Sequence, residues 1–149
     1  MSQKAPNREE QRERYRELLE ELRTVMPGAQ VLLAFLLTVP FATKFHRLDD
    51  VGRNTYAGVV FCAALATILF MTPAAYHRVA RRQDRAERLD FAIRIVILGM
   101  ALLALAIGGA IFVVVRFVFD DTALGLAFGG IASLTAATLW YVLPSLHRN

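Results

Sequence analysis

The sequence predicts an all-α membrane protein, four transmembrane helices in a bundle preceded by an amphipathic cytoplasmic N-terminal helix. Three observations predict it. Apolar residues make up 56% of the 149 residues and the mean hydropathy is +0.42, above the usual apolar share of a soluble domain. The charged residues, 20% of the total, crowd into the first 23 positions, two loops and the last few residues, leaving long uncharged stretches between them. A water-facing helix needs a polar side, whereas about 20 apolar residues cross the hydrocarbon of a bilayer. Before the first such stretch, Tyr15, Leu18, Leu19, Leu22, Val25 and Met26 recur at spacings of three and four, which makes one apolar stripe on a charged helix.

Residues 1–7 read as a disordered N-terminus and 8–26 as the amphipathic helix, lying on the membrane or packing on a partner helix. Pro27-Gly28 breaks that helix and turns the chain into the bilayer. Residues 27–149 form the transmembrane domain. Its first span covers about 29–45, where Pro40 must kink the helix or free a carbonyl near Leu36. A polar loop from Lys44 to Asn54 leads to the second span, about 55–76, with Pro73 in its last turn. An Arg-rich loop runs from His77 to Arg94, and its pairs Asp84–Arg88 and Asp90–Arg94 at i,i+4 predict that it is helical too. The third span follows at about 91–115, then a short loop in which Arg116 and Asp120 can pair. The fourth span covers about 123–146, and its Trp140 and Tyr141 suit an interfacial belt.

Lysine and arginine set the orientation. Thirteen lie in the N-terminal segment, the middle loop and the C-terminus, against four in the other two loops. The positive-inside rule puts both termini in the cytoplasm of a cell-membrane protein, in agreement with an even number of spans. The net charge of +4 therefore reads as topology, and nucleic acid is not an expected partner. Cys62 is the single cysteine and lies in a span, so an intramolecular disulfide is excluded. The polar first 23 residues are the opposite of a cleavable signal, so the first span is expected to direct insertion.

Helices in lipid associate through close packing, and small residues show where backbones can meet. Gly125, Gly129, Ser133 and Ala137 make a small face on the fourth span, which serves either packing within one bundle or a homo-oligomer contact. None of the thirteen acidic residues lies inside a span, which argues against a carboxylate-based exchanger. Hydroxyls within the spans are expected to bond their own backbone or a neighbouring helix. Tyr76, His77 and Arg78, with Arg81 and Arg82, place an aromatic ring, an imidazole and guanidinium groups at headgroup level, a candidate site for anionic lipid or a partner. No nucleophile–base arrangement, phosphate loop or metal-ligand motif is visible, so neither enzyme activity nor a cofactor is expected.

Two stretches carry a family likeness. One is Glu20-Glu21-Leu22-Arg23, then Pro27-Gly28-Ala29-Gln30-Val31-Leu32-Leu33-Ala34-Phe35-Leu36-Leu37-Thr38-Val39-Pro40-Phe41, then Phe45-His46; the other is Pro73-Ala74-Ala75-Tyr76-His77-Arg78. Together they resemble a family of small four-span actinobacterial membrane proteins of unknown function, whose members are often labelled sodium:proton antiporters. The resemblance implies the four-span architecture and assigns no functional residue.

The leading expectation is an accessory or scaffold subunit at the cytoplasmic interface, with Leu18, Leu19 and Leu22 as candidate partner contacts. The alternative is an oligomeric ion channel or cation/proton exchanger, with Thr38, Pro40 and Thr43 as candidate pore or kink residues.

Overall fold

The computed structural model describes residues 8–79 and 85–146; the expectations for residues 1–7, Arg81 and Arg82 lie outside the described residues. Among those described, α1 (Arg8–Thr38) is followed by 3-10 turns at Val39–Phe41 and Phe45–Arg47. Then come α2 (Asp50–Val79), α3 (Arg85–Phe119) and α4 (Thr122–Ala137), and α4 passes through a π-helical turn (Thr138–Val142) into α5 (Leu143–Leu146). Four helical stretches are long and apolar enough to cross a membrane: Glu13–Phe41, Asp50–Ala75, Leu89–Phe119 and Thr122–Val142. Phe35 and Leu134 are each 69% exposed and Phe61 64%. Such a surface suits acyl chains, not water.

The helices run up and down in sequence. Antiparallel α2 and α3 form the central pair, α1 packs mainly on α2, and α4 packs on α3. Two apolar clusters stack along the bundle axis. One, near the α1–α2 and α3–α4 turns, joins Leu36, Tyr56, Val59, Ala63, Ala106 and Val113. The other, toward the opposite end, joins Leu22, Ala29, Ala66, Phe70 and Leu103.

Proline positions correct the sequence reading at Pro27 and decide between its two alternatives at Pro40. Proline usually interrupts a helix, because it lacks an N–H and its ring meets the carbonyl four residues back. Yet α1 continues through Pro27. Leu22, five residues before the ring, is 4% exposed, and Ala29, two residues after it, is 2% exposed; both are buried in one cluster. Packing on both sides outweighs the local cost of about 3 kcal/mol. The carbonyl Pro27 deprives of its usual partner belongs to Arg23, the last charged residue before the apolar run, where water is at hand. The amphipathic segment and the first span are therefore one helix. The stripe faces the bundle, with Leu18 and Met26 packed partly against the second cluster.

Pro40 does not kink a span either. The α-helix ends at Thr38, and Pro40 occupies the first turn of the 3-10 segment that follows. Its missing N–H does free the Leu36 carbonyl, and the Tyr56 hydroxyl of α2 donates to it. Two more tyrosines tie neighbouring helices in the same way: Tyr15 donates to the Pro73 carbonyl at 2.9 Å, and Tyr141 to that of Ile97 at 2.6 Å.

The α3–α4 seam is a backbone contact. A Cβ added at Gly129 would lie 2.6 Å from the Gly108 carbonyl oxygen, and one at Gly108 would lie 2.7 Å from that of Gly129. Only glycine permits so close an approach. Gly125 is buried on Phe112, and Ser133 Oγ donates to the Ala104 carbonyl at 3.4 Å. The face from Gly125 to Ser133 is thus covered by α3 of the same chain, with Ala137 half-buried beyond it. It is not a free surface for a homo-oligomer, because close contact gains most where two backbones already run side by side. Past Ser133, an undistorted helix would carry Tyr141 about 80° off this face. The π turn takes in about one extra residue, a correction of about 100°, and returns Tyr141 to α3.

Candidate functional site

Apart from the Tyr56 hydroxyl, none of the described residues with a polar or charged side chain is buried, and no group of His, Cys, Asp and Glu among them is placed to hold a metal ion. The organised polar groups sit instead at the two ends of the bundle.

At the end bearing the α1–α2 and α3–α4 turns, two aspartates start helices. Asp49 Oδ1 accepts from the Gly52 N–H at 3.0 Å at the start of α2. Asp121 Oδ1 accepts from the N–H groups of Ala123 and Leu124 at 2.8 and 3.1 Å at the start of α4. Each carboxylate satisfies donors that a first helical turn leaves open. Arg116, in the last turn of α3, ties the two helix starts together. Its two terminal nitrogens donate to the two Asp49 oxygens, both at 2.8 Å, and its Nε donates to Thr122 Oγ1 at 2.9 Å. One guanidinium therefore clamps three helix ends with bidentate geometry. It also holds the Asp49 carboxyl below its usual range, chiefly through its hydrogen bonds to that group.

The sequence reading paired Arg116 with Asp120. The structure pairs it with Asp49, because α3 ends at Phe119 and Asp120 turns the corner at φ 52°. Asp120 lines a groove of about 210 Å³ with Arg47, Arg116 and Phe117.

At the opposite end, α1 extends beyond its apolar run. Glu13, Arg14, Arg16, Glu17, Glu20, Glu21 and Arg23 are all exposed there. The Tyr15 hydroxyl on Pro73 and Leu22 in the second cluster hold this charged length against the bundle.

The sequence-derived candidates fall unevenly on this frame. Tyr76, His77 and Arg78 are on the last turns of α2, at the same end as the charged length of α1. Thr38, Pro40 and Thr43 are exposed near the turn end, and the Thr38 hydroxyl donates to its own Phe35 carbonyl at 2.7 Å. Among the described residues they lie on the outer surface of the bundle. Thr67, Thr72 and Thr138 likewise donate to carbonyls four residues back, as expected for hydroxyls in membrane helices. Of the leucines taken as partner contacts, Leu22 is core, Leu18 is half-buried against that core and Leu19 is half-buried.

Sequence reasoning missed Tyr56, Asp49 and Asp121, and it placed Tyr15 in the stripe and Tyr141 in the interfacial belt without their hydrogen bonds to neighbouring helices. Asp121 carried a signal, an Asp immediately ahead of an apolar helical run, whereas Asp49 is followed by Asp50, Arg53 and Asn54 and carried none so plain. Tyr56 carried half of one, since Pro40 marks the carbonyl in need of a donor but not the donor.

No curated protein and no solved structure matches the chain significantly. A family model does match, over residues 5–144, and so nearly the whole chain, with its four apolar helices, belongs to a family of unknown function, DUF6328.

Proposed function

We propose that the protein is a non-enzymatic accessory subunit of the cytoplasmic membrane, which docks a partner membrane protein through the charged face of α1. One observation carries the reading: α1 is a single helix from Arg8 to Thr38, so its exposed charged residues are held rigidly on the transmembrane bundle. From Glu13 to Arg23 this length is about 17 Å. A preorganised surface loses little conformational entropy on binding. Its alternating acids and arginines suit a partner helix of mixed charge better than a uniformly anionic membrane. The excess of arginine and lysine at this end supports a cytoplasmic position for it. The buried position of Leu22 moves the docking face from the leucines to the charges.

Photo-crosslinking residues placed at Glu17 and Glu20 test this, with Leu134 on α4 as control. The expected result is one second protein, attached from the α1 positions and absent from Leu134, that co-purifies at fixed stoichiometry after gentle extraction. A pure homo-oligomer with no adduct to another protein would overturn it. Flux of protons, sodium or potassium in vesicles containing that homo-oligomer would put an ion channel or exchanger in its place.

A further inference from the structure

A second groove, of about 410 Å³, opens on the charged half of the molecule. Leu18, Leu22 and Val25 of α1, Phe70 of α2, and Val96 and Met100 of α3 form its apolar wall. Its volume falls in the range of about 300–1,000 Å³ typical of small-molecule sites. Two observations say what fills it.

The first is its depth. The groove straddles the level at which charge ends. Between Arg23 and Lys44 the chain carries no Asp, Glu, Lys or Arg, and none between Arg94 and Arg116. Leu18 and Leu22 precede the first boundary, while Val96 and Met100 lie just inside the second. One end of the groove is thus at headgroup level and the other is in hydrocarbon. An occupant must be polar at one end and apolar at the other.

The second is its charge. Glu21 is the one ionisable residue among the described groove-lining residues. Thr24, beside it, already donates its hydroxyl to the Glu20 carbonyl at 3.4 Å. An anionic headgroup would face the Glu21 carboxylate unfavourably; a primary ammonium would be attracted to it.

We propose that this groove seats an acyl chain of an aminophospholipid, with the lipid ammonium on the Glu21 carboxylate. The groove shares Glu21 with the charged face proposed above for docking, but its test in vesicles of purified protein needs no partner, so its failure would leave that reading untouched. It also gives the thin contact between α1 and α3 a physical role, because the lipid chain fills the space that side chains leave open.

Trp140, the single tryptophan, reports on the site, since it packs partly against the cluster that contains Leu22 and Phe70. The full chain is reconstituted in phosphatidylglycerol vesicles with rising fractions of dibrominated phosphatidylethanolamine. The mirror series uses phosphatidylethanolamine vesicles with dibrominated phosphatidylglycerol. Half-maximal quenching of Trp140 is expected at a roughly fivefold lower fraction of the brominated aminolipid, the size of one interfacial charge pair. Glu21→Gln should remove that difference and leave quenching by bulk lipid in place. Val96→Phe, which narrows the groove without adding a tryptophan, should remove it as well. Coincident curves in the unaltered protein, a preference for phosphatidylglycerol, or a preference that survives Glu21→Gln would each overturn the proposal.

Discussion

The two outer helices meet the central pair through different contacts. On one side, α4 lies on α3 with glycine against glycine, so that the carbonyls of Gly108 and Gly129 sit where side chains would otherwise be. On the other, α1 lies on α2 through large side chains, Leu22 and Phe70 among them, and through tyrosine hydroxyls on the Leu36 and Pro73 carbonyls. Lipid supplies no hydrophobic drive for either contact, because acyl tails are as apolar as leucine. Each seam must gain its stability from dispersion or from hydrogen bonds that lipid cannot make. The α4 sequence, rich in small residues, takes the first route. The α1 sequence, with Pro40 exposing a carbonyl, takes more of the second.

Breaking the α3–α4 seam should have the largest effect. Gly129→Leu drives a side chain into the Gly108 carbonyl, and overpacking of a tight contact costs about 3 kcal/mol. The expected outcome is a lower melting temperature in detergent. A cysteine pair introduced at Ala104 and Ser133 should also lose its oxidative cross-link in that background. If the cross-link persists at full yield, glycine is not what brings these helices together.

The α1–α2 seam should respond less. Tyr56→Phe leaves the Leu36 carbonyl without a donor, and hydrogen bonds between membrane helices are worth about 0.6 kcal/mol on average and about 1.7 at most. Pro40→Ala restores a backbone N–H four residues beyond Leu36. In that background, Tyr56→Phe should cost less than half of what it costs alone. A double-mutant cycle in detergent unfolding reads the coupling, and additive effects would show that proline and tyrosine act separately.

The smallest effect is expected at the clamp that ties α2, α3 and α4 on the far side of the comparison. Arg116 lowers the Asp49 pKa, so the pair contributes its stability above the ordinary carboxylate pKa, and that contribution is lost as pH falls through the lowered folded value. Melting temperature should be flat with respect to this pair from neutral pH down to about 4, the unperturbed aspartate range. Below that, Asp49→Asn should lose less than the unaltered chain. Parallel pH curves for the two proteins would remove the clamp from the account.

Much of this architecture was legible in the residues. The uncharged runs marked four spans, and the small face on α4 marked a place for close packing. Pro40 marked the Leu36 carbonyl as needing a donor. What was not legible lay across the chain. Arg116 and Asp49 are 67 positions apart, so the nearer Asp120 was the natural partner to expect. Pro27 looked like a break because local rules are blind to a cluster that buries Leu22 and Ala29 together. The leucines of the N-terminal stripe looked free because nothing nearby in the sequence covers them.

The amino-acid sequence alone dictated that there are four apolar helical stretches and which parts of the chain can lie in lipid. These properties depend on the transfer of each residue from water and on helical periodicity, both local to a segment. Packing between helices settled that α1 passes unbroken through a proline and that the glycine face of α4 is satisfied within the chain. It alone decided which tyrosine completes which carbonyl. Those outcomes depend on what a neighbouring helix supplies at contact distance, and a hydrogen bond or a buried leucine in lipid is worth only what that neighbour makes of it.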